Sequence, residues 1–221
     1  MKRYWIGFVV LFLAQTLTAQ TEFEPEWSFG VNGGVTLSKV SFSSTEATSP
    51  QKLLQDYVGG ITVRYISEKN FGLQAELNYS LRGWEEKVDT VAYFNEYARS
   101  LAYLELPIMT HIYFNMSKRT RLVFNLGPQI SYLVSEKELK REEADDNTIN
   151  ITYYDTKVQN KFDYGLTGGL GLEVRTGIGS FILGGRYYYG LGNIFKSGRG
   201  DRFQASSNQV IGIKLSYLFR L

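Results

Sequence analysis

The chain has 221 residues, 24 basic and 22 acidic side chains, 43% hydrophobic residues and no cysteine. The lack of cysteine excludes a disulfide framework and a thiolate metal site, and the near balance of charge beside a large apolar share argues against a disordered chain or a nucleic-acid-binding protein. The mean hydropathy of −0.20 does not separate a soluble protein from a membrane barrel, because a barrel carries its apolar face on alternate residues only.

Residues 1–20 have the pattern of a secretory signal peptide. Lys2 and Arg3 precede an eleven-residue apolar run, and small residues follow up to Ala19. The run is too short for a membrane-spanning helix, which needs about 20 apolar residues. The sequence therefore predicts a signal peptide over residues 1–20 and one mature domain over residues 21–221, with an N-terminal membrane anchor as the alternative.

From Trp27 onward, apolar and polar side chains alternate with the period of a β-strand that has one apolar and one polar face. The clearest case is Phe71 to Arg82, where every odd-numbered residue is apolar. Eight such segments are predicted, over residues 27–38, 57–66, 71–82, 101–114, 121–134, 162–175, 181–191 and 210–221. Each has ten residues or more, whereas strands of soluble proteins average about 5–6 residues and tilted membrane strands about 9–11.

The charges within these segments all fall on the polar faces, and the apolar faces carry no Asp, Glu, Lys or Arg. A charge that faces lipid costs about 2–4 kcal/mol at the bilayer midplane, so a membrane would enforce this exclusion. The sequence therefore predicts an all-β fold, an eight-stranded antiparallel up-and-down transmembrane β-barrel.

The predicted connections alternate between short and long. Short turns are expected at residues 67–70, 115–120 and 177–178, and long polar loops at about 40–56, 83–100, 135–161 and 192–209. In outer-membrane barrels the short turns lie in the periplasm and the long loops face outward. In the third turn, Gly177 is expected to form a type II′ hairpin that pairs Thr176 with Gly179.

Two prolines are expected to make the strands locally irregular. Pro107 and Pro128 lack the N–H that a closed ladder needs, so a bulge or bend is expected where they face each other.

The charged run from Glu136 to Asn147 indicates a solvated face or a strand that continues beyond the membrane. A divalent-cation site at Glu142, Glu143, Asp145 and Asp146 is a weaker alternative.

Several segments together resemble the PorT-like outer-membrane β-barrel family of Bacteroidota, often labelled "porin family". They are Phe29–Ser38, Phe71–Gly83, Tyr103–Ile108 and Asn125–Pro128. The resemblance covers essentially the whole mature chain and implies a barrel in the cell outer membrane. One member of this family assists a secretion and gliding machinery.

An eight-stranded barrel is only wide enough to be filled by its own side chains, so an open pore is not expected. Six charged residues are predicted to point inward at mid-strand and to form a polar network, because unpaired charges in a narrow interior are costly. They are Arg64, Glu76, Glu105, Glu173, Arg186 and Lys214. An ion or proton path is the alternative use of such charges.

The predicted function is that of a non-enzymatic outer-membrane barrel that presents four extracellular loops for envelope structure or interaction. The expected partners are outer-membrane lipid, lipopolysaccharide and an envelope protein, and no catalytic residue, cofactor, metal or nucleic acid is expected. His111 is the only histidine, so a multi-histidine metal site is excluded.

Three other functions are compatible with the sequence. The first is a lipid-modifying enzyme on eight strands, although His111 should lie near a periplasmic turn, far from the outer leaflet. The second is a small-solute channel or secretion-system accessory barrel. The third is a soluble lipocalin-type barrel, whose apolar faces would point inward.

Overall fold

The computed structural model describes residues 23–44, 51–89, 94–143, 156–197 and 203–221. The predicted signal peptide, residues 1–20, lies outside these ranges. The described residues form nine strands: β1 (Glu26–Ser44), β2 (Gln51–Lys52), β3 (Leu54–Glu68), β4 (Phe71–Asp89), β5 (Phe94–Asn115), β6 (Thr120–Glu143), β7 (Phe162–Thr176), β8 (Gly179–Gly190) and β9 (Phe203–Arg220). The described residues contain no helix that is long and apolar enough to cross a membrane.

Eight long antiparallel strands close into a ring. Each of the strands β3 to β8 pairs with the next along the chain, and β1 joins the two ends by pairing with both β3 and β9. The two-residue strand β2 precedes β3 and pairs only with β4, opposite Glu85 and Glu86. The predicted eight-stranded closed barrel is therefore confirmed.

The three predicted short turns lie together at one end of the ring, which we call the turn end; the opposite end is the loop end. The hairpin between β7 and β8 pairs Thr176 with Gly179 as expected. The positive φ, 149°, is however at Gly179 and not at Gly177. The predicted type II′ turn is therefore wrong, because that turn needs a positive φ at its first central residue.

Strands β4, β5 and β6 continue well past their predicted limits at the loop end. Most of the expected loop at 83–100 belongs to β4 and β5, which pair as far as Asp89 and Phe94. Strand β6 runs to Glu143 and confirms the strand-extension interpretation of the charged run. The extensions of β4 and β5 were missed because strands outside a bilayer do not need an apolar outward face. Of the alternative cation ligands, Asp145 and Asp146 lie outside the described residues.

The two prolines interrupt the ladder without a bulge. Between β5 and β6, pairing stops after Pro107–Gln129 and resumes at Thr110–Leu126 in the same register. Pro128 lies within this gap. The expected bulge is absent there because each proline removes a donor but adds no residue to its strand.

The packing is inverted relative to a soluble protein. Arg64 and Glu76 are 2% exposed, whereas Ile61 and Leu183 are more than half exposed. The polar faces therefore point into the barrel and the apolar faces form its outer wall. This rules out the lipocalin-type arrangement.

Apolar side chains close the interior near both ends. The loop-end cluster consists of Val40, Trp84, Tyr97, Leu101, Tyr103, Leu133, Val158, Ile194 and Phe195, with Phe42 packed against it. The turn-end cluster consists of Ile66, Tyr113, Val123, Ile182 and Leu218, with Phe23 packed against it. The ion pairs formed by Arg64, Glu76 and Arg82 lie between these two clusters.

Candidate functional site: the polar interior of the barrel

The centre of the interior is organised around Glu76 on β4. Its carboxylate accepts hydrogen bonds from Arg186 Nη1 at 2.6 Å, Arg186 Nη2 at 2.9 Å and Lys214 Nζ at 2.8 Å. The amides of Gln74 and Asn78 also donate to it, at 2.7 and 3.0 Å. Since Arg186 and Lys214 lie on β8 and β9, this carboxylate ties opposite walls of the barrel together.

Arg64 on β3 extends the group towards the turn end. Its Nε and Nη2 donate to Gln74 Oε1 at 3.0 and 2.8 Å. Its Nη1 lies 3.4 Å from Glu173 Oε1 on β7. Gln74 therefore links the Arg64–Glu173 pair to Glu76, and five of the six predicted residues lie in one connected group.

Glu105, the sixth predicted residue, belongs to a second group nearer the loop end. Its Oε1 lies 3.5 Å from Arg82 Nη1, and Arg82 Nη2 donates to Asp163 Oδ2 at 2.9 Å. The same oxygen of Asp163 accepts hydrogen bonds from Tyr188 Oη and Asn208 Nδ2. The Arg82 guanidinium also stacks 3.7 Å from the centre of the Tyr103 ring.

Sequence reasoning placed Arg82 and Asp163 on the inward faces but left them out of the predicted network. Both are as deeply buried as the predicted residues. Tyr188 and Asn208 were missed because neither carries a charge. Alternation was the available signal, since all four side chains share the inward parity of their strands.

Chain segments from the loop end fold over the barrel opening. Val158 N donates to Glu136 Oε2, and Arg99 Nη1 donates to the carbonyl of Thr156. The backbone amides of Gln159 and Asn160 donate to the carbonyl of Ile194. These contacts hold Val158, Ile194 and Phe195 in the loop-end cluster, so the segments 156–160 and 191–197 cover part of the barrel opening.

His111 lies at the turn end, where it was placed from the sequence. It pairs with Gly72 on β4, its Nδ1 is 2.8 Å from Asn125 Oδ1, and its side chain is fully buried. It therefore has no access to the outer wall or to the loop end. Within the described residues, no group of three or more His, Asp or Glu side chains is arranged to hold a metal ion.

The outer wall is an apolar band with aromatic residues towards its edges. Tyr57, Tyr132 and Phe162 lie on the loop-end side, and Trp27 and Phe114 on the turn-end side, all of them exposed. Aromatic side chains occupy these positions in membrane barrels because they sit at the two interfaces of the bilayer. The closed ring, the apolar wall and the polar interior together define an outer-membrane β-barrel.

The chain belongs to the outer membrane protein beta-barrel domain family, whose model matches residues 14–196. Solved structures with a similar fold include Ail, the attachment invasion locus protein of Yersinia pestis, and OprG of Pseudomonas aeruginosa. Ail is 12% identical with a TM-score of 0.40, covering 88% of this chain and 99% of its own. OprG is 12% identical with a TM-score of 0.47, covering 90% and 99%. No curated protein sequence matches this chain. The family assignment and the apolar wall place the protein in the outer membrane.

Proposed function

We propose that this protein is a closed, non-enzymatic barrel that anchors a rigid sheet outside the membrane for contact with other envelope components. The observation that carries the proposal is the filled interior. Apolar clusters occupy both ends and ion pairs occupy the middle. An interior of this kind supports an anchor better than a conduit for solutes.

The sheet formed by β4, β5 and β6 is the part available for contact. Strands β6 and β7 pair only as far as Tyr132 and Phe162, whereas β5 and β6 remain paired to Asn95 and Glu143. At about 3.3 Å per residue, the part of β6 beyond Tyr132 extends roughly 35 Å. Such a long paired sheet can present side chains at a fixed distance from the bilayer.

The surroundings proposed for the barrel are outer-membrane lipid and lipopolysaccharide on the wall and an envelope protein at the loop end. The PorT-like resemblance supports this placement, since the segments that carry it lie in β1, β4, β5 and β6. We also propose that the chain belongs to the PorT-like family and comes from a member of Bacteroidota.

Conductance in planar bilayers tests the closed interior. The wild-type protein should give no stable large conductance steps. A Phe23→Ala/Trp84→Ala variant, which removes one ring from each apolar cluster, should give more frequent current events. Stable large steps from the wild type would contradict the proposal and favour the small-solute channel.

Two further measurements address the remaining alternatives. Lipid A from a strain that lacks the protein should keep its acyl pattern; a changed pattern would favour a lipid-modifying enzyme.

A photo-crosslinker at Lys137 on the extended sheet should capture a defined envelope partner, whereas the same probe at Lys118 in a short turn should not. Equal capture at both positions would argue against the sheet as the contact surface.

A further inference from the structure

The turn-end half of the interior holds more positive than negative charge. Apart from the partly exposed group of Glu26, Arg175 and Arg220 at the rim, four cations face two carboxylates there, with His111 counted as neutral: Arg64, Arg121, Arg186 and Lys214 against Glu76 and Glu173. The next carboxylates towards the loop end, Glu105 and Asp163, both lie beside Arg82. Even when those three residues are added, five cations face four carboxylates. A buried charge without a counter-charge is costly, so this half favours an added anion.

A cavity of about 30 Å³ lies among these cations. Its lining includes Arg64, Arg186 and Lys214 together with the polar side chains of Gln74, Asn125 and Ser216, and it contains no carboxylate. A polar cavity larger than about 10–15 Å³ can hold a species the size of a water molecule. The cavity therefore has the size and the charge for one small anion.

Inward-facing glycines create this space. A Cβ at Gly171 would stand 3.0 Å from the carbonyl oxygen of Leu183 and 3.2 Å from Val123 Cγ2. A Cβ at Gly184 would stand 2.9 Å from the carbonyl oxygen of Leu170. Both glycines line the cavity, and a side chain at either position would press on the neighbouring backbone.

The cations also retain donors for a ligand. The ammonium of Lys214 has three N–H groups and the guanidinium of Arg186 has five. Glu76 accepts one hydrogen bond from Lys214 and two from Arg186. The remaining N–H groups can therefore bind an anion without breaking the contacts to Glu76.

We infer that this cavity is a binding site for a small inorganic anion of halide size. Chloride is the physiological ion that matches the size and charge of the cavity. The ion would balance the excess charge between Arg64, Arg186 and Lys214. A second cavity of similar size lies on the loop-end side of Lys214. Arg186 and Lys214 line it as well, but so does the carboxylate of Glu105, which repels an anion. That second cavity should hold water, so it serves as an internal control.

Bromide is the probe for a direct test. Crystals of the purified protein grown in sodium bromide should show an anomalous peak in the cavity between Arg64 and Lys214, with no such peak in the cavity beside Glu105. A map with only water in the first cavity would overturn the inference. A bromide peak confined to the second cavity would also overturn it.

A solution test compares thermal unfolding in sodium chloride and in sodium gluconate at equal ionic strength. Chloride should raise the unfolding midpoint, because a ligand that binds only the folded state stabilises it, and gluconate is too large for the cavity. Lys214→Gln should abolish this difference. Arg175→Gln, which removes a cation outside the cavity lining, and Thr36→Val, which alters the second cavity only, should retain it.

A chloride effect that is absent, or that survives in Lys214→Gln, would contradict the site. If Lys214→Gln does not fold, the bromide map of the wild type decides alone. This inference is independent of the proposed anchor function. Conductance and crosslinking test that function, and neither measurement detects an anion held in the cavity.

Discussion

Replacing Glu76 with glutamine should destabilise the barrel strongly. The change keeps the size of the side chain but removes the charge that faces both Arg186 and Lys214. The Glu76 side chain is 1% exposed and that of Lys214 is 8% exposed, so water cannot take over the lost contacts. Removing one partner of a buried ion pair costs about 3–5 kcal/mol. Because two cations lose their counter-charge here, we expect a loss of at least about 3 kcal/mol in unfolding free energy.

Urea unfolding in lipid vesicles, followed by tryptophan fluorescence, measures this loss. Trp84 reports on the interior and Trp27 on the lipid-facing wall. The experiment should be done without halide, because an anion could replace part of the missing charge. Glu24→Gln makes the same chemical change at an exposed position and should have little effect.

A second substitution separates charge compensation from packing. Adding Lys214→Met to Glu76→Gln removes one of the two uncompensated cations, so the double variant should recover part of the lost stability. A Glu76→Gln protein within about 0.5 kcal/mol of the wild type, the usual range for neutral surface changes, would refute the reasoning about the central ion pairs.

Two further predictions use matched pairs of residues. Leu77→Arg should cost about 2–4 kcal/mol in vesicles because Leu77 faces lipid, whereas Leu139→Arg, at a similarly exposed leucine on the β6 extension, should be near neutral; equal effects in urea unfolding would contradict the assigned membrane boundary. Gly179→Ala should cost about 1–3 kcal/mol, since its φ is 149° and a Cβ would stand 2.6 Å from the carbonyl oxygen of Leu218. Gly177→Ala has no atom within 4 Å of the added Cβ and should be tolerated; the reverse order of stability would show that the turn is wrongly assigned.

The strands and their faces could be predicted because a barrel wall in lipid imposes one simple rule on every strand. In Phe71 to Arg82 each outward residue must be apolar, and the inward residues are then left free to be polar. The rule stops at the edge of the bilayer. Beyond it, Glu85 and Lys87 alternate with Trp84 and Glu86, and this pattern does not distinguish a strand from a polar loop.

The contacts within the interior could not be predicted in the same way. Arg82 and Asp163 are 81 residues apart and meet only because the ring closes with a particular stagger of its strands. Alternation predicts that both residues point inward, but it does not say at which height along the barrel axis they lie. Glu105 was therefore predicted within one network and is found beside Arg82 in another.

The aromatic residues show most clearly where reading by alternation succeeds and where it fails. Tyr187, Tyr188 and Tyr189 are consecutive, and they are 47%, 3% and 42% exposed. Alternation alone separates the two lipid-facing rings from Tyr188, whose hydroxyl donates to Asp163 inside the barrel. Phe195 follows no strand pattern, and it is nevertheless buried against Trp84 because its backbone N–H donates to Ser206 Oγ at the start of β9. The position of Phe195 is thus set by tertiary contacts between loop segments, and alternation along a strand does not predict such contacts.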